Sequence, residues 1–141
     1  MSNTETGVCL CGQLRCSFER DKVFSSHHCH CSDCQKNTGS GKATFIMMPT
    51  EALSIEGEMK TYSVTGTEGA TITRGFCPNC GSPMVSVIEE MPHLRIVKAG
   101  ILSDSSWVKV GSSFWSSSAQ EWSPVESTIP SFEQNPPMEK L

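Results

Sequence analysis

Cys77-Pro78-Asn79-Cys80-Gly81 is the stretch on which the reading of this sequence turns. A Cys-x-x-Cys turn aims two thiolates at one point, and the glycine after it tolerates the left-handed backbone that closes such a turn. Two thiolates make half of a tetrahedral site. Cys9-Leu10-Cys11-Gly12 offers the other half, again two thiolates on a short loop followed by glycine. Four soft thiolates in a closed set favour zinc, held as a structural ion whose binding contributes directly to folding. Such a site would tie the amino-terminal strand to a hairpin far along the chain.

Between these halves lies a third group, Cys29-His30-Cys31-Ser32-Asp33-Cys34. Here a Cys-x-Cys and a Cys-x-x-Cys combine into a tripod of thiolates that can reach one ion. Three protein ligands leave one coordination position, and an open position separates catalytic zinc from structural zinc. A water, a hydroxide or a substrate thiolate can occupy it with a lowered pKa. A fourth protein ligand would close the site, and Cys16, His27, His28 and His30 are the candidates. Cys16 falls in the strand pattern Leu14-Arg15-Cys16-Ser17-Phe18, which suits a small buried side chain. His30, between two ligands, is expected to point away from the metal, and His27 and His28 lie in a polar run that suggests surface exposure. His93 is isolated and carries no role.

Eight cysteines also allow a disulfide reading, but residues one or two apart pair poorly with each other and share a metal readily. The amino terminus shows no basic segment followed by an apolar one, so no secretory signal is visible and a cytoplasmic location is expected. The chain has 141 residues, 37% apolar and 18% charged, with a net charge of −4. That balance lacks the basic footprint of a nucleic-acid binder. No apolar run approaches the ~20 residues needed to span a bilayer.

Strand-like patches dominate the rest. Val8 to Phe18, Lys42 to Met48, Met59 to Val64, Thr71 to Phe76, Met84 to Ile88 and Leu94 to Val97 are rich in β-favouring residues, and glycines punctuate them. Helical turns are expected only at Ser32 to Thr38 and just after Pro49. The class is mainly β, in a single zinc-binding catalytic domain over 1–133 with a flexible tail over 134–141. Ser112 to Ser118 carries Phe114 and Trp115 and is expected to be ordered. Trp107, Trp115 and Trp122 are more often core or self-association residues than substrate platforms, which leaves homo-oligomers open. Lys36 and Arg74 could meet an anionic substrate, although a lone basic residue is usually solvated surface. Asp33 could cap a helical turn or support the tripod from behind.

The ordered set Cys9–Gly12, Cys29–Gly39 and Arg74–Pro83 resembles the glutathione-dependent formaldehyde-activating enzyme family. The likeness continues loosely through Lys98–Asp104, the Trp-rich Phe114–Trp122 and Ile129–Phe132. It implies a β-tent-like arrangement of small antiparallel sheets held by two zinc ions. Cys9, Cys11, Cys77 and Cys80 match the family's structural site, and Cys29, Cys31 and Cys34 its catalytic one. The implied activity is that of a carbon–sulfur lyase, joining formaldehyde to the glutathione thiol as S-hydroxymethylglutathione or reversing that step. No cluster of Arg and Lys in the sequence obviously grips two glutathione carboxylates, so another small thiol stays open as substrate. Two rival readings stay open as well: a non-enzymatic zinc module that binds a protein partner, and a redox dithiol built on Cys31 and Cys34.

Overall fold

The computed structural model describes residues 3–66 and 68–137. Ten strands occur among them. The first five are β1 (Thr4–Val8), β2 (Arg15–Glu19), β3 (Ser25–Cys29), β4 (Ala43–Pro49) and β5 (Ser54–Glu56). The rest are β6 (Lys60–Thr65), β7 (Thr71–Phe76), β8 (Pro83–Ile88), β9 (Leu94–Lys98) and β10 (Ser112–Phe114). One α-helix, α1 (Ser32–Thr38), and several short 3-10 turns complete the described chain. The protein is therefore mainly β, built from small sheets, as the sequence implies. No helix among the described residues is long and apolar enough to cross a membrane.

The chain forms two compact units. The first runs up to Phe24 and resumes over Ile46–Val108. In it β1, β2 and β5 form an antiparallel sheet, with Cys16 opposite both Gly7 and Ile55. β2 alternates cleanly: Cys16 and Phe18 face inward while Arg15 and Glu19 face water, the period of two that a half-buried strand requires. β6, β7, β8 and β9 follow as an antiparallel meander, which short turns between consecutive strands favour. Leu14, Ile46, Met48, Met84 and Val97 have no exposed surface and form the core with Phe18. Each such side chain contributes roughly 1.5–3 kcal/mol through its removal from water.

The strand expected over Val8–Phe18 is interrupted. β1 ends at Val8, and residues 9–14 turn back on themselves, with the Cys9 N–H donating to Leu14 O (2.9 Å) and the Gly12 N–H to Cys9 O (3.1 Å). The turn brings the Cys9 and Cys11 sulfurs to 3.6 Å from each other. β1 itself begins in the polar leader. Glu5 on it is buried and accepts a hydrogen bond from Arg20 at 3.1 Å, so its charge is compensated.

The second unit comprises Ser25–Phe45 and residues from Lys109 onward. β10 runs parallel to β3, with Ser112 beside His27 and Phe114 beside Cys29. Phe114 packs against Phe45 and Phe132, and the His27 ring stacks on it at 4.5 Å. β3 has no apolar period to announce it. Its buried positions are Ser26 and Cys29, and the strand is stabilised by stacking and hydrogen bonds rather than by aliphatic burial. His27 and His28 are consequently half-buried, where the sequence suggested exposure.

α1 matches its expected bounds. Cys31 is its N-cap, and the Thr38 hydroxyl donates to Cys34 O (2.8 Å). The Gln35 amide holds the helix in place by donating to His30 O (2.8 Å) and Ser118 O (3.0 Å). Of the tail expected to be flexible over 134–141, residues 138–141 lie outside the described residues. Gln134 and Asn135 accept hydrogen bonds from the Trp115 backbone N–H (3.0 Å) and indole N–H (2.8 Å).

Gly57 tests the first unit's packing. Its φ of 107° disfavours any L side chain, and an added Cβ would lie 2.3 Å from the Gln13 carbonyl oxygen. Gly57→Ala is expected to cost about 2–4 kcal/mol, read as a lowered denaturation midpoint; an unchanged midpoint would contradict the packing described.

Candidate metal centres

Two turns of the first unit bring four cysteines together. Cys9 and Cys11 come from the loop between β1 and β2; Cys77 and Cys80 come from the turn between β7 and β8. Their sulfurs all lie within 4.8 Å of one another. The Cys9–Cys11 and Cys11–Cys77 sulfur separations are 3.6 and 3.7 Å. Sulfurs ~2.3 Å from a tetrahedral zinc lie ~3.8 Å apart, so the spacing fits that ion closely.

The turns are shaped for this convergence. Gly81 adopts a φ of 81°, and its N–H donates to Cys77 O at 2.9 Å. The Leu14 N–H donates to Cys9 Sγ at 3.2 Å, the kind of contact that stabilises a thiolate. Ser82 was not singled out by the sequence, yet it joins the two halves. Its hydroxyl accepts the Leu10 N–H (3.0 Å) and faces Cys80 Sγ (3.3 Å). Hydrogen bonding from Ser82 brings the Cys80 thiol down to about 5. The only signal for this role in the sequence is the hydroxyl following Cys-x-x-Cys-Gly.

In the second unit, the end of β3 and the start of α1 place Cys29, Cys31 and Cys34 with their sulfurs within 4.8 Å of one another. Cys29 and Cys34 are buried, and Cys31 is partly exposed. As N-cap, Cys31 accepts the Cys34 N–H through its sulfur at 3.3 Å. The Cys31 and Cys34 thiols beside Cys29, with burial behind them, push its thiol far up. Three thiols packed this tightly cannot all ionise without a cation among them, so the donor set suits a metal ion. All eight cysteines are free thiols, which removes the disulfide reading.

Among the described residues, none of the four candidates for a fourth ligand joins the tripod sulfurs. Cys16 is buried in the first unit's core. His27 pairs through Nδ1 with Ser112 Oγ (2.7 Å), and His28 through Nδ1 with Thr44 Oγ1 (2.7 Å). His28 Nε2 also lies 3.6 Å from the Glu126 carboxylate. His30 is fully enclosed, and neither ring nitrogen has a hydrogen-bond partner; burial, with Lys42 nearby, disfavours its protonation. Among the described residues the cluster therefore offers three candidate protein donors.

A family model described as glutathione-dependent formaldehyde-activating enzyme matches residues 4–118. The chain belongs to that family. The matched segment contains both cysteine groups. One relative is a Penicillium rubens protein whose name gives glutathione-dependent formaldehyde activation as a provisional activity. It is 33% identical over 87 residues, covering 56% of this chain and 45% of the relative. The chain thus spans under half the length of that protein. A crystal structure of a Rhodobacter sphaeroides protein, a structural-genomics target, is similar with a TM-score of 0.57 at 18% identity. The match covers 90% of this chain and 99% of the other, and at that identity it bears on the fold alone.

The other residues raised by the sequence divide plainly. Lys36, Asp33 and His93 are exposed. Trp107 donates through its indole to Asp104 O (2.7 Å) and packs against Phe18 and Arg20. Trp122 is largely exposed. Arg74 is half-buried on β7 rather than solvated.

Burial pushes the Cys16 thiol up to about 11. Its neutral form is therefore favoured on folding, and the stability it contributes is present below the unfolded value of ~8.5. That contribution fades as pH rises from there through about 11. In metal-loaded protein at pH 8, alkylation of Cys16 is expected to run roughly a hundredfold slower than that of an unfolded cysteine. Peptide mass mapping checks this, and labelling at the unfolded rate would contradict it.

Proposed function

We propose that this chain forms or cleaves the carbon–sulfur bond of a thiol–aldehyde adduct, as in the interconversion of glutathione and formaldehyde with S-hydroxymethylglutathione. The observation that carries the reading is the tripod of Cys29, Cys31 and Cys34, which lacks a fourth protein ligand among the described residues. Family membership supports the glutathione and formaldehyde chemistry. The four-cysteine group is read as a structural zinc site and the tripod as a catalytic one.

In the forming direction, the thiol gives up its proton, its sulfur attacks the carbonyl carbon, and the carbonyl oxygen takes a proton. Zinc on the tripod would supply an open coordination position that lowers the pKa of the substrate thiol near neutral pH. The protein's share is to fix the three thiolates: Cys29 by β3, Cys31 by the N-cap of α1, and Cys34 by the first turn of that helix. Gln35 locks the helix against the loop at His30 and the turn at Ser118. Three thiolates carry more charge than one dication neutralises, so orienting the reactants is expected to matter more than polarising them. Eight free thiols suit a reducing compartment, and the cytoplasm is the location that goes with this reading.

Cys31→Ser should test the role with least damage to the fold, because Cys31 is the tripod's most exposed member. The rate of S-hydroxymethylglutathione formation above the uncatalysed background is expected to fall on the order of a hundredfold or more. Metal at the four-cysteine group should be retained. Full activity in the folded variant removes the tripod's catalytic role. A wild-type protein that gives no acceleration over background removes the reaction itself.

A further inference from the structure

Helix α1 supplies Cys34 from its first turn and begins at Cys31, so two of the three tripod sulfurs depend on where it lies. In Ser32-Asp33-Cys34-Gln35-Lys36-Asn37-Thr38 there is no aliphatic side chain, and Cys34 is the buried residue. A helix of two turns is marginal in water, and hydrophobic burial cannot place this one. Its position rests on polar contacts, of which the Gln35 side chain makes three. Its Nε2 donates to His30 O (2.8 Å) and Ser118 O (3.0 Å), and its Oε1 accepts from Gln120 Nε2 (3.3 Å). Both donors of the amide are therefore used. His30 lies between Cys29 and Cys31, and Gln35 directly follows Cys34. One side chain thus ties the peptide between the first two sulfurs to the turn that carries the third.

The groups that Gln35 grips are themselves held within the second unit. The His30 N–H donates to Phe114 O at 3.0 Å, so both backbone polar groups of His30 are engaged. Ser118 ends a 3-10 turn, Ser116–Ser118, which the chain enters through Trp115 at φ 58°, ψ 45°. Trp115 is the one non-glycine residue with a positive φ among the described residues. A bulky side chain keeps that backbone only where its surroundings impose it. Here the segment from Phe132 to Asn135 does so. Trp115 donates from its N–H to Gln134 O (3.0 Å) and from its indole to Asn135 Oδ1 (2.8 Å). The Ser116 N–H donates to Phe132 O (3.0 Å), and the Ser117 hydroxyl to Glu133 O (2.6 Å). The strained turn leaves the Ser118 carbonyl in a fixed place as an acceptor for Gln35.

We propose that Gln35 is a positioning residue for the tripod: its amide sets where Cys34 stands relative to Cys29 and Cys31, and so the geometry offered to a metal ion. The assignment rests on the reading of the tripod as a metal centre. Removing an outer partner that orients metal ligands typically costs about 10–100-fold in metal affinity.

The test is cadmium-113 NMR of the full chain with its zinc exchanged for cadmium, beside the rate at which the zinc protein loses each ion to a chelator. It compares wild type, Gln35→Met and Gln35→Glu. Methionine matches glutamine in length and helix propensity but has no donor. Wild type should give two cadmium signals, and Cys31→Ser identifies the one from the tripod. Gln35→Met is expected to shift or broaden that signal alone and to speed zinc loss from the tripod about tenfold. The signal of the four-cysteine group should stay where it is. A tripod signal unchanged in Gln35→Met overturns the positioning role, whatever the rate of zinc loss. An equal disturbance of both signals also overturns it, as a general loosening of the fold. Should Gln35→Met fail to fold, Gln35→Glu decides in the same way, since it keeps the shape and the acceptor and replaces the amide donors. A wild type with a signal from the four-cysteine group alone removes the metal reading of the tripod, and the role of Gln35 with it. An altered tripod signal with S-hydroxymethylglutathione formation untouched keeps the positioning role and removes the tripod from catalysis.

Discussion

Four sulfurs from two distant turns meet at a spacing that suits one metal ion, and the first unit is organised around that convergence. Cys11 and Cys77 are 66 residues apart in sequence yet 3.7 Å apart at their sulfurs. That convergence explains why the chain breaks its strand pattern after Val8 and why the β7–β8 connection is a tight turn closed by Gly81. It also explains why a serine hydroxyl spans the two loops. Unmetallated, four crowded thiols would repel as they ionised; with a dication among them, the same crowding becomes a cross-link between the ends of the unit. A modest aliphatic core is then enough.

The second unit solves a different problem with the same ligand. Its cysteines are consecutive in the chain and converge through one strand end and one helical turn, so no distant segment is needed to assemble them. What the neighbouring elements supply is fixation. β10 lies beside β3, the histidines of β3 are tied to Ser112, Thr44 and Glu126, and the helix is pinned through Gln35. Those partners engage His27 and His28, and His30, although without a hydrogen-bond partner, is not in the sulfur cluster either. On the proposed reading, the difference in coordination between the two centres follows from this.

Much of this was legible in the sequence where chemistry or periodicity was local. β7 and α1 have the expected bounds, and β4, β8 and β9 lie within about a residue of theirs, because β-branched runs and a capped helical turn declare themselves over a few positions. Both cysteine groups are the ones their spacing implies. β3 was illegible because its stabilisation comes from stacking and hydrogen bonds of polar side chains, which carry no hydrophobic period. β1 was hidden because Glu5 is buried by virtue of Arg20, a partner that only the fold identifies. Ser82 was unreadable for a related reason: its significance depends on the two loops that the fold brings together around it.

The distinction between a closed four-thiolate centre and an open three-thiolate one is tested most directly by metal stoichiometry combined with zinc-edge X-ray absorption, on protein purified without added metal. Two zinc ions per chain are expected, with an average first shell of three to four sulfurs plus a light-atom contribution confined to one site. Cys31→Ser should lower the sulfur count at that site alone. A single zinc per chain, or two ions each bound by four protein ligands, would contradict the division on which the proposed chemistry stands.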